Sequence, residues 1–261
     1  MSGGGRLPRW LWVAAAGVYL FLHLPLAVLV AFSFNSSRFS ADWTGFSLRW
    51  YRGLLERSDL LYALELSLVV GVVATGVSVL LGTLLAVGLA RHRLRGRRAL
   101  EALLYLPIVT PEIVAGISLL VLFVLIRLPL GLTTVVLAHI AFCLPFVVVV
   151  LLARLEGMDR SLEEAALMLG ADEISAFRRV TLPRLWPGML AAGLLSFTIS
   201  FDDFVITSFV AGPGSSTLPL VVYSMVRRTV EPTVNAISTV VLVVTTGLIY
   251  ATDRLLREEA R

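Results

Sequence analysis

Three acidic residues lie inside apolar segments of the sequence. Glu112 is in one such segment, and Asp202 and Asp203 are neighbours in another. An ionised side chain at the middle of a bilayer costs about 2.5–3.5 kcal/mol on insertion scales, so such groups usually face a cavity or a compensating partner. Carboxylates in this setting can bind protons or cations, and nearby aromatic faces add cation–π contacts.

Depth and spacing relate these acids to one another. Counted from the inner ends of their segments, at 1.5 Å per residue, Glu112 lies about 20 Å deep and the aspartates about 25 Å deep. One helical face of the second segment carries polar residues at three- and four-residue steps: Ser196, Ser200, Asp203 and Thr207. We predict that Glu112 and Asp203 line a path through the membrane. Asp202 is a third candidate for the path, although we expect it to turn toward a neighbouring helix. The alternative is that all three acids are hydrogen-bonded at helix interfaces.

The composition excludes several classes of function. The chain is 57% hydrophobic and only 15% charged, which indicates a membrane protein. It contains no Lys, and a Walker A loop needs Lys to reach the nucleotide phosphates, so the chain should not hydrolyse ATP. The single Cys143 excludes an intrachain disulfide and a cysteine metal cluster. We find no nucleophile–base pair, and the basic residues border apolar segments, so we expect neither an enzyme nor a nucleic-acid partner.

The elements that must position the acids are membrane helices. About 20 helical residues cross a hydrocarbon core about 30 Å thick. Six segments meet this requirement, at about residues 10–34, 62–90, 99–126, 131–153, 186–211 and 233–252. We predict an all-α integral membrane fold in which residues 1–261 form a single transmembrane domain. His139, in the fourth segment, is expected to be hydrogen-bonded at a helix interface.

The distribution of arginine predicts the orientation of the chain. Residues 91–98 contain five Arg in a short loop, which is typical of the cytoplasmic side of a membrane. Six spans place both termini on one side, together with this loop and residues 161–183. All four regions are therefore expected to be cytoplasmic.

Residues 161–183 form a polar and charged stretch between the fourth and fifth segments. Ser161 followed by Glu164 predicts a capping box at the start of a helix. Gly170 can adopt the left-handed conformation that ends a helix, and Leu182-Pro183 should stop a second short helix. This pattern predicts two short helices hinged at Gly170 and held outside the bilayer, although an ordinary connecting loop would also accommodate it.

This stretch resembles the EAA signature of ABC importer permeases. Glu164, Ala165 and Ala166 are followed after three residues by Gly170, and after nine more by Val180, any residue and Leu182-Pro183. The departure is Val180, where Ile is commoner. In that family the segment docks into a groove on a cytoplasmic ATPase. The resemblance therefore implies that the coupling residues are Glu164, Ala165, Ala166, Gly170, Leu182 and Pro183.

Residues 30 to 250, roughly, resemble the permeases of polyamine importers, and most of all the second, C-type permease of spermidine/putrescine importers. The resemblance is carried by the sequences FNSSRF from Phe34, FCLPFVVV from Phe142, LSFT from Leu195, and ITSFV from Ile206. It implies the type I ABC importer permease (MetI-like) architecture with six transmembrane helices. It also implies a multi-pass location in the bacterial cytoplasmic (inner) membrane.

The resemblance further implies partners. These are a second permease subunit, expected to be a different chain, two ATPase subunits, an extracytoplasmic substrate-binding protein and membrane lipid. No cofactor is expected in this chain, since ATP and Mg would bind the partner ATPase. The expected function is half of the substrate path of an importer for spermidine or putrescine. The alternatives are the same machine with ferric iron, thiamine, phosphonate or opine as cargo, or a stand-alone secondary transporter.

Overall fold

The computed structural model describes residues 8–37, 42–92, 95–228 and 232–259. This part of the chain is helical, as predicted, apart from connecting segments and one antiparallel bridge between Asn35 and Phe46. Its helices are α1 (Arg9–Ser33), α2 (Arg49–Glu56), α3 (Ser58–Arg91), α4 (Arg97–Val109), α5 (Glu112–Leu125), α6 (Leu132–Glu156), α7 (Ser161–Met168), α8 (Glu173–Ala176), α9 (Leu182–Asp202), α10 (Val205–Val210), α11 (Leu218–Arg228) and α12 (Pro232–Glu259), with a π-helical turn at Phe177–Thr181.

Four helices in the described part are long and apolar enough to cross a membrane: α1, α3, α6 and the helix that ends as α9. The pair α4 and α5 adds a fifth if the two are counted as one bent span. The apolar part of α12, Pro232–Gly247, is shorter than these helices. The first, second and fourth predicted segments agree closely with α1, α3 and α6.

The third predicted segment, residues 99–126, is not one helix. It divides into α4 and α5, which meet at an angle of 114°. Thr110 between them has an extended ψ of 135°, and Pro111 follows it. A residue before proline is disfavoured in the α region because its backbone clashes with the proline ring. Pro111 therefore separates the two helices and leaves Glu112 as the first residue of α5.

The fifth predicted segment, residues 186–211, is also divided. The helix α9 ends at Asp202, and Asp203 is extended with ψ 125°. The short helix α10 then begins at Val205. Since the carboxylate of Asp203 accepts from the first backbone N–H groups of α10, it marks a helix start where the sequence pattern indicated a helix interior.

The chain divides into two compact units. The first comprises Met1–Leu61 and Val222–Tyr250, and the second comprises Tyr62–Val221 and Ala251–Arg261. The single transmembrane domain predicted for residues 1–261 stays a prediction.

In the first unit, Asn35 organises the segment between α1 and α2. Its side chain is 1% exposed. The Asn35 amide nitrogen donates to the Asp42 carbonyl at 2.7 Å, and its oxygen accepts from the Thr44 backbone N–H at 3.0 Å. The indole N–H of Trp50 donates to the Asn35 carbonyl at 2.7 Å. These bonds satisfy polar groups of described residues that lie outside the helices.

In the second unit, α6 is the central helix. Its buried side chains contribute to two apolar clusters, one toward each end of the helix. One cluster joins α6 to α3, α4 and α9 through residues such as Leu89, Leu151 and Leu185. The other joins its first half to α3, α5 and α10 through residues such as Phe142 and Ile206. Burial of these side chains fixes the helices that carry Glu112 and the aspartates.

Helices α5 and α10 interlock closely. A Cβ atom added at Gly116 would lie 2.6 Å from the ring of Phe209, so only glycine permits this approach. The Thr134 hydroxyl at the start of α6 donates to the Val210 carbonyl at 2.8 Å, in a buried bond. The short α10 is therefore fixed to two longer helices.

Candidate functional site

The helix α7 lies on the surface of the second unit. None of its eight residues, all of them described, is buried. Met168 and Leu169 are each 89% exposed, and Ile174 at the start of α8 is 68% exposed. Together with Leu167 these side chains form what we call the α7–α8 apolar surface. Exposed apolar side chains grouped on a short charged segment are typical of a protein–protein contact.

Gly170 ends α7 in the left-handed conformation, with φ +91°, as predicted. The Gly170 N–H donates to the Leu167 carbonyl and the Ala171 N–H donates to the Ala166 carbonyl. This pair of bonds is the Schellman motif, which satisfies the last carbonyls of a helix and needs positive φ at the glycine position. The reversal lets α7 and α8 run in different directions.

The start of α7 differs from the prediction. Ser161 is the first residue inside the helix, and Arg160 has the N-cap position. The Ser161 backbone N–H and hydroxyl both donate to the carboxylate of Asp159, at 2.9 and 2.8 Å. These two bonds hold the pKa of Asp159 below its ordinary value. The predicted capping box between Ser161 and Glu164 is therefore wrong, because the nearer Asp159 takes both donors; Glu164 is exposed.

The prediction that the second helix stops at Leu182-Pro183 is wrong, because the helix continues from Glu173 to Asp202. The Leu182 N–H donates to the Phe177 carbonyl, five residues back, in the π-helical turn. A proline has no N–H and normally breaks the i to i−4 ladder. Because the wider π turn directly before Pro183 has already interrupted that ladder, the helix accommodates the proline.

Glu163, which precedes the EAA sequence, joins three elements. Its carboxylate pairs with the Arg91 guanidinium at the end of α3. Arg91 also donates to the Thr181 hydroxyl at 2.9 Å, and that hydroxyl donates to the other Glu163 oxygen at 3.1 Å. These residues form a closed ring, the Arg91–Glu163–Thr181 cluster. Beside it, Arg160 donates to the Ala90 carbonyl at 2.7 Å. No sequence pattern predicted this cluster, although an arginine at the end of a predicted span is a signal for such a contact.

Glu112 and Asp202 lie at the two helix breaks. Glu112 is the first residue of α5 and Asp202 the last residue of α9, and both are exposed. Both acids thus lie where a predicted helix is interrupted and not in a helix interior.

Asp203 differs from its two neighbours because its carboxylate is buried. It accepts hydrogen bonds from the Ile206 and Thr207 backbone N–H groups, at 3.1 and 2.9 Å, and from the Thr207 hydroxyl at 2.8 Å. Asp203 is thus buried, whereas Asp202, which we expected to turn toward a neighbouring helix, is exposed. Asp203 lies at the helix break, where its carboxylate caps α10, and this fits the alternative of an acid hydrogen-bonded at a helix interface. A path lined by these acids stays a prediction.

His139 completes this buried polar group, at a helix interface as predicted. Its ring nitrogens lie 2.7 Å from the Ser200 hydroxyl and 2.9 Å from the Thr207 hydroxyl. The four residues of the predicted polar face, Ser196, Ser200, Asp203 and Thr207, are all buried, but they lie on α9, the break and α10 and not on one continuous helix. That face packs within the second unit, so its bonds serve to hold α6, α9 and α10 together.

Comparisons with known proteins show what the whole chain resembles. The family described as binding-protein-dependent transport system inner membrane component matches residues 78–257. The chain is 42% identical over 257 residues to the spermidine/putrescine transport system permease protein PotC of Escherichia coli (strain K12), covering 98% of this chain and 97% of PotC. It is also 42% identical over 231 residues to the putrescine transport system permease protein PotI of the same strain, covering 86% of this chain and 82% of PotI.

Solved structures share the fold at low identity. A bacterial ABC transporter involved in the import of the acidic polysaccharide alginate has a chain with a TM-score of 0.75 and 15% identity, covering 96% of this chain and 98% of that one. A chain of the MetNI methionine ABC transporter, in inward-facing conformations, has a TM-score of 0.64 and 20% identity, covering 81% of this chain and 98% of that one. At these identities the likeness shows the ABC importer permease fold and nothing about cargo.

Proposed function

Because the chain belongs to the family of binding-protein-dependent transport system inner membrane components, we propose that it is the permease subunit of an ATP-driven ABC importer for spermidine or putrescine. The observation that carries this proposal is the 42% identity to PotC over 98% of the chain. The alginate transporter shares the fold at only 15% identity, so the likeness to PotC and PotI exceeds what a common fold requires.

The α7–α8 apolar surface is the proposed docking site for a separate ATPase. It is exposed, it follows the Schellman turn at Gly170, and Glu164 beside it is also exposed. Protein–protein interfaces typically have an apolar core surrounded by a polar or charged rim. Within this segment, Ala165, Ala166 and Leu182-Pro183 are the remaining positions of the EAA signature. The exposed surface supports an ATPase partner. A secondary transporter that works alone would have no use for such a surface.

The proposed topology has six spans and both termini in the cytoplasm. The spans are α1, α3, the α4–α5 pair, α6, α9 and α12. The arginines around the loop after α3 support the cytoplasmic side for that loop and for α7. The family description supports the inner membrane of a bacterium.

The proposed complex contains a second permease of different sequence, two ATPase subunits and an extracytoplasmic binding protein. A structure of the alginate transporter in complex with a periplasmic protein bound to alginate pentasaccharide supports the binding protein as a partner for this fold. ATP and Mg would bind the ATPase, and this chain would supply no catalytic group or cofactor.

We place the substrate path beside Glu112 and Asp202. Both carboxylates are exposed at helix breaks, and the neighbouring Phe201 and Phe204 are only partly buried. Carboxylates with aromatic faces suit an organic polycation. Asp203 would contribute its negative charge from inside the protein, since its oxygens already accept three hydrogen bonds.

Reconstitution tests the proposal. The chain would be purified with its partner permease and ATPase, placed in vesicles with ATP, and supplied with the binding protein and radiolabelled putrescine or spermidine. We expect saturable, ATP-dependent uptake of a polyamine. Thiamine, ferric iron, phosphonates and opines should neither compete nor be transported.

Two outcomes would contradict the proposal. Transport of one of those other cargoes without polyamine uptake would contradict the assignment of a polyamine cargo. It would leave the hypothesis of an ABC importer standing. Uptake by this chain alone, driven by an ion gradient in vesicles without the ATPase, would indicate a secondary transporter.

A further inference from the structure

We propose that the Arg91–Glu163–Thr181 cluster transmits movement of α7 to the membrane helices. The proposal rests on the proposed docking of the ATPase at α7, and it assigns the coupling role to a residue outside the EAA signature. Glu163 is a positioning residue in this scheme: it contacts neither nucleotide nor cargo, and acts by fixing α7 to α3 and to the start of α9.

The cluster is a closed ring of three groups from three elements. Arg91 is the last residue of α3, Glu163 lies in the first turn of α7, and Thr181 is the last residue of the π-helical turn. The guanidinium binds one carboxylate oxygen and the hydroxyl, and the hydroxyl bridges to the second carboxylate oxygen. A planar guanidinium with two fixed donors holds such a geometry more closely than a lysine ammonium could.

Burial distinguishes this cluster from an ordinary surface ion pair. Thr181 is 1% exposed, and the side chains of Arg91 and Glu163 are 22% and 21% exposed. Ion pairs shielded in this way are screened less by salt than exposed pairs. A second contact lies alongside, where Arg160 donates to the Ala90 carbonyl in the last turn of α3.

The rest of α7 offers no comparable attachment. Its eight residues include no buried side chain, and its large apolar side chains Leu162, Leu167 and Met168 are all at least 40% exposed. Apolar packing therefore does not hold α7 in place. The polar ring does so together with the Arg160–Ala90 bond. A force on α7 therefore passes through these contacts or through the backbone at its two ends.

The cluster connects to the path through α9. Thr181 directly precedes α9, which is 21 residues long and ends at Asp202. At 1.5 Å per residue the helix spans about 30 Å. A displacement of Glu163 that moves Thr181 would therefore act on a continuous helix whose far end carries an acid of the proposed path.

The test measures the coupling ratio, cargo taken up per ATP hydrolysed, in the reconstituted complex. Glu163→Gln keeps the size of the side chain and removes its charge, and Thr181→Val removes the bridging hydroxyl at constant shape. We expect each variant to assemble with the ATPase and to hydrolyse ATP, with the coupling ratio at least fivefold lower in Glu163→Gln and at least twofold lower in Thr181→Val. Glu156→Gln, an exposed glutamate at the end of α6, is the control and should keep the wild-type ratio.

The charge exchange Arg91→Glu with Glu163→Arg gives a rescue test. The pair should restore the ratio to within about twofold of wild type, whereas Arg91→Glu alone should not. A wild-type ratio in both Glu163→Gln and Thr181→Val would overturn the proposal, as would a parallel fall of uptake and ATP hydrolysis caused only by lost assembly. Failure of the proposed function would appear differently, because the unaltered chain would then bind no ATPase or transport no polyamine.

Discussion

The Nε2 atom of His139 lies 3.3 Å from the Oδ2 atom of Asp203, and each side chain is only 2% exposed. This contact joins α6 to the break between α9 and α10. The same carboxylate accepts the first N–H groups of α10, and the same imidazole reaches hydroxyls on both sides of the break. The carboxylate of Asp203 thus has a structural role in the second unit, where it joins α6, α9 and α10.

Removal of the Asp203 carboxylate should destabilise the protein. In Asp203→Ala, three donors and the imidazole of His139 lose a buried partner, which costs about 1–3 kcal/mol for an unsatisfied group. We expect a lower melting temperature of the purified protein in detergent, measured by intrinsic fluorescence. Asp202→Ala, at the exposed neighbouring position, is the matched control and should melt near the wild-type temperature. Equal melting of the two variants would contradict the capping role.

Removal of the Glu112 charge should weaken transport. Glu112→Gln keeps the shape of an exposed side chain at the start of α5, so folding should be preserved. Loss of about 1.4 kcal/mol of attraction for a polycation corresponds to a tenfold change. We expect roughly tenfold lower kcat/KM for spermidine uptake in vesicles. The control Glu56→Gln alters an exposed charge in α2 and should transport normally; unchanged uptake in Glu112→Gln would remove this acid from the path.

Substitution of Gly170 should impair coupling to the ATPase. A side chain at φ +91° is strained, and the left-handed conformation costs about 1–2 kcal/mol for a non-glycine residue. Gly170→Ala should therefore lower cargo-stimulated ATP hydrolysis while the protein remains in the membrane. Gly157→Ala makes the same chemical change at φ −80°, where the added Cβ meets only ordinary contacts, and should have wild-type activity. Normal stimulation in Gly170→Ala would show that the turn at the end of α7 is not required.

The proposed orientation can be tested by cysteine labelling on a Cys143→Ala background. Single cysteines at Arg95 and Asp172 should react with an impermeant maleimide only in inverted vesicles. A cysteine at Asp42, in the opposite loop, should react in intact cells. All three positions are exposed, so the protection pattern reports the membrane side; reaction of position 95 or 172 from outside would reverse the topology.

The sequence was sufficient for features set by local chemistry. Long apolar runs predicted α1, α3 and α6 because a helix is the way to satisfy backbone groups in lipid. Gly170 predicted the left-handed end of α7 because a side chain opposes that conformation. These properties depend on a few consecutive residues, so a linear pattern contains them.

Features that depend on tertiary partners were not predictable in the same way. Helical spacing identified the face that contains Ser200 and Asp203, but only the fold shows that His139 covers that face. Likewise the capping pattern indicated Glu164, but the glutamate that makes tertiary contacts is its neighbour Glu163. The partners of Glu163 are Arg91 and Thr181, which lie 72 and 18 residues away in the sequence. Spacing along a helix gives relative directions, and the identity of the neighbour in each direction comes from packing.

The contact of Gly116 with Phe209 has a consequence for how the chain can move. With the ring pressed against the glycine and Val210 bound to Thr134, α5 and α10 form one rigid body together with the start of α6. The same helices are bonded to α9 across the break, because the ring of His139 reaches Ser200 on one side and Thr207 on the other. The separation of Glu112 and Asp202, which lie beside the two breaks, is therefore set by packing and is not left to free bending of the chain at those breaks.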